Sequence, residues 1–266
     1  MSSNAPRVLI HPDQDELVAS VARRFIRKSV QIIDDFGEVT VCLTGGTAGI
    51  ASLAAINASP ERDRIAWDRM NVWWGDERWV PRDDPERNER QARQALLDHV
   101  PLDPDRVHPM PASDEGLDLD AAAVRYATEL RAAALPNQAL PAIDMVYLGV
   151  GPDGHINSMF PGMAAIRERT ELVLPVRNSP KPPPERITLT LPVVNSAARV
   201  VVLFAGAEKG VPLGLALAGA NIDEVPVAGV LGRRKTIFHV DAEAAAQVPA
   251  GLIERERYWT AEDDER

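Results

Sequence analysis

The sequence predicts an α/β protein built on a mostly parallel sheet flanked by helices. Two observations carry that expectation. Short apolar runs alternate with longer helical patterns along most of the chain, the signature of βαβ units. The unusual polar and glycine-rich segments fall directly after apolar runs, and ligands of parallel sheets bind outside the carboxyl ends of the strands. No internal repeat and no linker break the pattern, so residues 1–266 are expected to form a single α/β domain.

Arg7-Val-Leu-Ile10 reads as the first strand. Asp13 offers a helix N-cap, with Glu16 three residues on as its capping-box partner. Leu17, Val21, Phe25, Ile32 and Ile33 share one helical face, and Gly37 stops the helix. Val39 to Leu43 is a second strand, followed by Gly45-Gly46 and a helix through Ile50 and Leu53. Asn71 to Trp74 is a third strand, running into a charged, proline-marked loop. A helix follows from Asn88 to His99, ending before Pro101. Leu119 to Leu135 is an alanine-rich helix, and Pro136 to Pro141 a connector. Ile143 to Leu148 is a strand, and Glu171 to Val176 another. Asn178 to Pro184 is too rich in proline for a central strand and reads as a rigid loop. Ile187 to Leu191 and Val200 to Phe204 are strands, with a helix from about Glu208 to Leu217. The last residues are charged, and fraying is expected at the very end.

Composition narrows the function. The chain has 29 Lys and Arg against 39 Asp and Glu, a formal net charge of −10. A general binder of nucleic acid or anionic membranes needs a positive face and is disfavoured. The longest apolar run, Val200 to Ala207, falls far short of the ~18 residues of a membrane span. The amino terminus carries no secretory pattern, and a lone Cys42 excludes an intrachain disulfide framework. A cytoplasmic protein is expected. The histidines at 11, 99, 108, 155 and 239 form no i, i+4 pair and have no cysteine partners, so no metal site is expected. Cys42 sits inside an apolar strand, as a core residue does.

Four polar groups follow strands. In Leu43-Thr-Gly-Gly-Thr47 the glycines admit a ligand close to the backbone, and the helix start presents N–H groups to an anion. In Trp74-Gly-Asp-Glu-Arg-Trp79 the three charges are costly to bury unless they face a cleft or one another. Gly149-Val-Gly-Pro-Asp-Gly-His155 matches the spacing of a dinucleotide fingerprint. Pro161-Gly162 interrupts the helix such a site needs, and no acid ends the next strand. Instead, His155 has a ring suited to general-base work, and Asp153 can fix its tautomer. Ser158 is a weaker candidate, as a nucleophile. The fourth group is basic, with Lys181 in the proline loop, Arg186 before a strand and Lys209 after one, all candidates for capturing an anion.

Taken in order, Leu43-Thr-Gly-Gly, Asp76-Glu-Arg-Trp-Val-Pro81, Gly149 to Pro161, Ser179-Pro-Lys-Pro-Pro with Arg186-Ile-Thr-Leu-Thr190, and Gly206-Ala-Glu-Lys209 resemble the 6-phosphogluconolactonase family. That family lies within the glucosamine-6-phosphate isomerase/deaminase-like superfamily. The resemblance implies a three-layer, Rossmann-like fold and a cofactor-free esterase. Its substrate is a small-molecule sugar-phosphate lactone, 6-phospho-D-glucono-1,5-lactone, opened in the oxidative pentose phosphate pathway. It implies His155 as the base and Asp153 as the residue orienting it. The phosphate is expected on Arg78, Arg186 and Lys209, with Asp76 and Lys181 beside the substrate and the Gly45-Gly46-Thr47 backbone close by. Backbone N–H groups near Gly151 or Gly46 are expected to stabilise the oxyanion by about 3 kcal/mol. A monomer or small homo-oligomer is expected. Many relatives follow the glycine pair with Ser-Thr-Pro or Arg-Thr-Pro; Thr47-Ala48-Gly49 here removes one side-chain contact and leaves the backbone contribution.

Two rivals remain. Deaminase members carry a glutamate five residues after the histidine, where this chain has Phe160, a ring that cannot relay protons. A non-catalytic sugar-phosphate sensor would need a DNA-reading module, and only six residues precede the first strand.

Overall fold

The computed structural model describes residues 5–253. The chain end, where fraying is expected, lies outside the described residues.

Nine strands are described, in two sheets. The larger holds β1 (Arg7–His11), β2 (Val39–Leu43), β3 (Met70–Trp74), β5 (Met145–Gly149), β8 (Arg199–Phe204) and β9 (Lys235–Asp241). Its order is β1-β9-β8-β5-β2-β3, parallel throughout. The smaller is antiparallel, β4 (Asp76–Arg78) and β6 (Val173–Val176) on either side of β7 (Arg186–Leu189). Among the described residues the eight α-helices are α1 (Gln14–Phe36), α2 (Gly46–Ala58), α3 (Asn88–Ala95), α4 (Leu119–Ala132), α5 (Ala164–Arg167), α6 (Leu191–Asn195), α7 (Gly210–Leu217) and α8 (Ala242–Ala245).

The central strands feed two cores by the period-2 alternation of their side chains. On β5, Met145 and Tyr147 join one core while Val146 and Leu148 join the other. On β8, Val201 and Leu203 face the first core, and Val200, Val202 and Phe204 the second. Both faces are buried, which is why these strands read as continuous apolar runs. The first core takes the face of α1 carrying Leu17, Val21, Phe25 and Ile32. The second takes α4 with Ala122, Tyr126 and Leu130, and also the small sheet through Val173, Val176, Ile187 and Leu189. The result is three layers.

Local signals set most of the ends. Asp13 accepts a hydrogen bond from the Glu16 N–H at 2.8 Å and caps α1, and Gly37 closes it. The helix expected over 88–99 stops at Ala95, and Leu97–His99 forms a separate 3-10 turn. The alanine-rich helix stops at Ala132, and the helix expected from Glu208 opens as a 3-10 turn over Ala207–Lys209. Two strands escape the sequence reading. β4 is three charged residues, and β9 carries buried Thr236, His239 and Asp241, so neither presents an unbroken apolar run.

β1 and β9 pair two histidines. His11 and His239 stack with centroids 5.1 Å apart, and Nε2 of the first lies 3.0 Å from Nδ1 of the second. Burial lowers the pKa of both from the ordinary 6.5. Below that pH the unfolded chain binds protons that the folded chain excludes, so stability falls with acid. A His239→Asn variant should lose less melting temperature than the parent between pH 7 and pH 5.5; parallel slopes would remove the pair from the acid response.

The sheet order reverses between β2 and β5, so the loops leaving these neighbours part to opposite faces and open a crevice. Gly149 N–H donates to Thr44 Oγ1 at 3.3 Å and ties the two loop starts together.

Candidate active site

A cavity of about 520 Å³ lies at this crevice. Every site residue expected from the sequence except Asp153 lines it: Gly45, Gly46, Thr47, Asp76, Arg78, His155, Lys181, Arg186 and Lys209. The segments after β2, β3, β5 and β8 supply most of them, and the proline loop with the start of β7 supplies Lys181 and Arg186.

α2 begins at the cavity with Gly45 as N-cap, and no side chain caps its first turn. Its leading N–H groups are therefore offered to a ligand, where the helix dipole favours an anion. Gly45 is required by its neighbour, because a Cβ there would come within 1.8 Å of Asn88 Oδ1. Thr47 is exposed on the cavity rim.

β4 resolves the three charges after β3. Alternation sends Asp76 and Arg78 to the cavity and Glu77 the other way. Glu77 accepts from the N–H groups of Arg78, Asn88 and Glu89 at 2.8, 2.8 and 2.9 Å, and so anchors the start of α3. Burial pushes its carboxyl up to about 7, against the pull of buried Arg87 and those donors. Arg78 donates to the Glu86 carbonyl oxygen from Nη1.

Asp153 stands behind His155 rather than on the wall. Its Oδ1 lies 2.5 Å from His155 Nδ1, which leaves Nε2 as the ring nitrogen without a partner among the described residues. Burial raises the Asp153 pKa, but the His155 hydrogen bond and charge, with Lys181, outweigh it and hold the carboxyl down to about 2. Gly151 makes the pair possible, since a Cβ there would come within 2.0 Å of Nδ1 and 2.4 Å of Asp153 Oδ1. The Gly151 N–H donates to the His155 carbonyl at 2.9 Å. That donor is spent on the turn, so of the two oxyanion donors expected, only the α2 side remains open.

Phe160, fully buried, sits between base and cation. Its ring centroid is 4.3 Å from that of His155, and the Arg186 Cζ lies 5.6 Å from it. Arg186 is largely committed to its own loop. Nε donates to Pro183 O at 3.1 Å, and Nη2 to Lys181 O and Pro182 O at 3.2 and 3.0 Å. Nη1 faces Ser158 Oγ at 3.5 Å and Asp76 Oδ2 at 4.0 Å. Ser158 itself is fully buried and donates to Asp76 at 2.7 Å, a bracing position rather than a nucleophile's. Burial lowers the pKa of Arg186, opposed by Asp76 and aided by Arg78; burial likewise lowers Lys181, opposed by Asp153 and aided by Lys209 and Arg186. The cations thus stand close enough to repel one another, a strain that a bound anion relieves. Cys42 is a buried free thiol whose pKa burial pushes up.

Asn88 and Asn157 also line the cavity, and the sequence reading assigned them nothing. Asn157 follows His155 by two residues, which was the available signal.

The sequence model of the glucosamine-6-phosphate isomerases/6-phosphogluconolactonase family matches residues 12–238. The chain belongs to that family. Within it, the 6-phosphogluconolactonase of Streptomyces coelicolor is 47% identical over 254 residues, covering 94% of this chain and 97% of the relative. That of Mycobacterium tuberculosis is 45% identical over 243 residues, covering 91% and 98%. Among solved structures, the Thermotoga maritima 6-phosphogluconolactonase superposes with a TM-score of 0.76 at 26% identity, covering 88% of this chain and 100% of that one.

Proposed function

We propose that the chain hydrolyses 6-phospho-D-glucono-1,5-lactone to 6-phosphogluconate with His155 as general base. One observation carries the reading: an imidazole oriented through Nδ1 by a carboxylate shares one cavity with Arg78, Lys181, Arg186 and Lys209. Nε2 takes a proton from a water as it attacks the lactone carbonyl. The α2 N–H groups stabilise the oxyanion that develops on the carbonyl oxygen. The tetrahedral intermediate then expels the ring oxygen, which receives the proton back from Nε2, so the imidazole ends as it began. Asp153 stays ionised throughout and keeps the tautomer. Lys181, whose ammonium has no partner among the described residues, and Lys209 are the principal phosphate ligands, with Arg186 adding Nη1. The acid balance and the single cysteine fit action in the cytoplasm.

The deciding experiment generates the lactone in situ and follows acid release at slightly acidic pH, where spontaneous opening is slow. Glucosamine 6-phosphate runs alongside and should give no ammonia, because Phe160 occupies the place a proton relay would need. Ammonia release would reverse the assignment.

Phosphate binding has its own readout. A ligand at one hundred times its Kd adds about 2.7 kcal/mol to stability. The melting temperature should therefore rise with 6-phosphogluconate, and the rise should shrink in Lys181→Ala. An unmoved transition at saturating product would place the phosphate elsewhere.

A further inference from the structure

The wall around Asp76 carries a chemistry that a phosphate does not need. Asn157 lines the cavity and is 6% exposed, yet neither its Oδ1 nor its Nδ2 has a hydrogen-bond partner among the described residues. Buried amides are normally bonded, and one left with both ends unpaired on a cavity wall is completed by something the cavity takes in. The amide packs against Gly75, where a Cβ would come within 2.5 Å of Oδ1. On the other side of Asp76, Asn88 donates from Nδ2 to the Asp76 carbonyl at 2.9 Å and leaves its Oδ1 without a partner.

We infer that Asn157 is a specificity-determining residue that reads a hydroxyl of the sugar ring through its side-chain amide. The inference rests on the lactonase reading above. The open atoms themselves select the ligand group. Nδ2 only donates and Oδ1 only accepts. A phosphoryl oxygen or the lactone carbonyl could accept a hydrogen bond from Nδ2, but it would set one acceptor against another at Oδ1. A hydroxyl both donates and accepts, so a polyol satisfies both ends. The open Oδ1 of Asn88 adds a second acceptor to this wall and makes it a poorer place for an anion. The phosphate thereby falls to Lys181 and Lys209. Asn157 stands two residues from His155 and next to Ser158, which is bonded to Asp76, so the hydroxyl it reads belongs to the ring that is being opened.

The test is a cycle of two variants of one residue and several substrates. Asn157 has φ 49, which glycine adopts without strain, so Asn157→Gly removes the amide and keeps the backbone. kcat/KM is measured for parent and variant on 6-phosphogluconolactone and on the lactones lacking the hydroxyl at C2, C3 or C4, each made in situ from the deoxy sugar phosphate. On the full lactone the variant should lose about five- to a hundredfold, the scale for a hydrogen-bonding group left without its buried partner. On one deoxy lactone, parent and variant should agree within about twofold, because the bond is already absent. Asn157→Ala must reproduce the pattern. An equal loss on every lactone, or no loss on the full one, overturns the inference while leaving the hydrolase intact. A parent inert toward the full lactone overturns the hydrolase reading and this inference with it.

Discussion

Turnover of a His155→Ala variant should fall by about 10²- to 10⁴-fold with the fold unchanged, the range for a lost general base. The geometry makes the expectation specific. Asp153 fills Nδ1, so Nε2 is the nitrogen that can take a proton in the cavity, while Glu208, also on the wall, is paired with Lys209 at 3.4 Å. Asp76 is bonded by Ser158 and Asn88, and Glu77 points away into the start of α3. KM should move little, because the cations that hold the phosphate are untouched. Near-normal kcat would remove His155 from the chemistry and send the search for a base to Asp76.

A comparable loss is expected from Gly151→Ala, a residue that contributes no side chain. Its Cβ would stand 2.0 Å from His155 Nδ1, 2.1 Å from Cε1 and 2.4 Å from Asp153 Oδ1. The imidazole and carboxylate must both give way. A displacement of this size from the productive geometry costs about 10²-fold in rate. The turn itself should survive, since the Gly151 N–H still reaches the His155 carbonyl. Full activity with an unchanged melting temperature would show that the His155–Asp153 contact is dispensable.

What the sequence disclosed divides along physical lines. Features set by local chemistry were legible: the Asp13 cap, the Gly37 stop, and apolar strands buried on both faces, as in β2, β5 and β8. The Gly-rich turns at the carboxyl ends of β2 and β5 were legible too, because the turn residues and their place after a strand are both written in the chain. β4 was not, since Asp76, Glu77 and Arg78 form a strand only by pairing with Thr188, Ile187 and Arg186, more than a hundred residues away. The role of Glu77 was hidden as well, although the N–H groups of α3 that fix it lie only 11 and 12 residues on, because the irregular loop between them sets where they meet. Arg186 was visible as a cation near a strand, while its hold on the proline-loop carbonyls was not. Asn157 differs again: its meaning lies in bonds it does not make, which no residue pattern records.

The grip of Arg186 on Pro183, Lys181 and Pro182 has a consequence for protein engineering. A lysine at that position would preserve the charge and lose the fork, since one ammonium on a flexible stem cannot reach three backbone oxygens in fixed directions while also facing Ser158. The segment bearing Lys181 would then be held by the Ser179 hydrogen bonds alone, and a second cation would loosen from the ligand although its own codon was never touched. Conservative by charge, the exchange would be radical by shape.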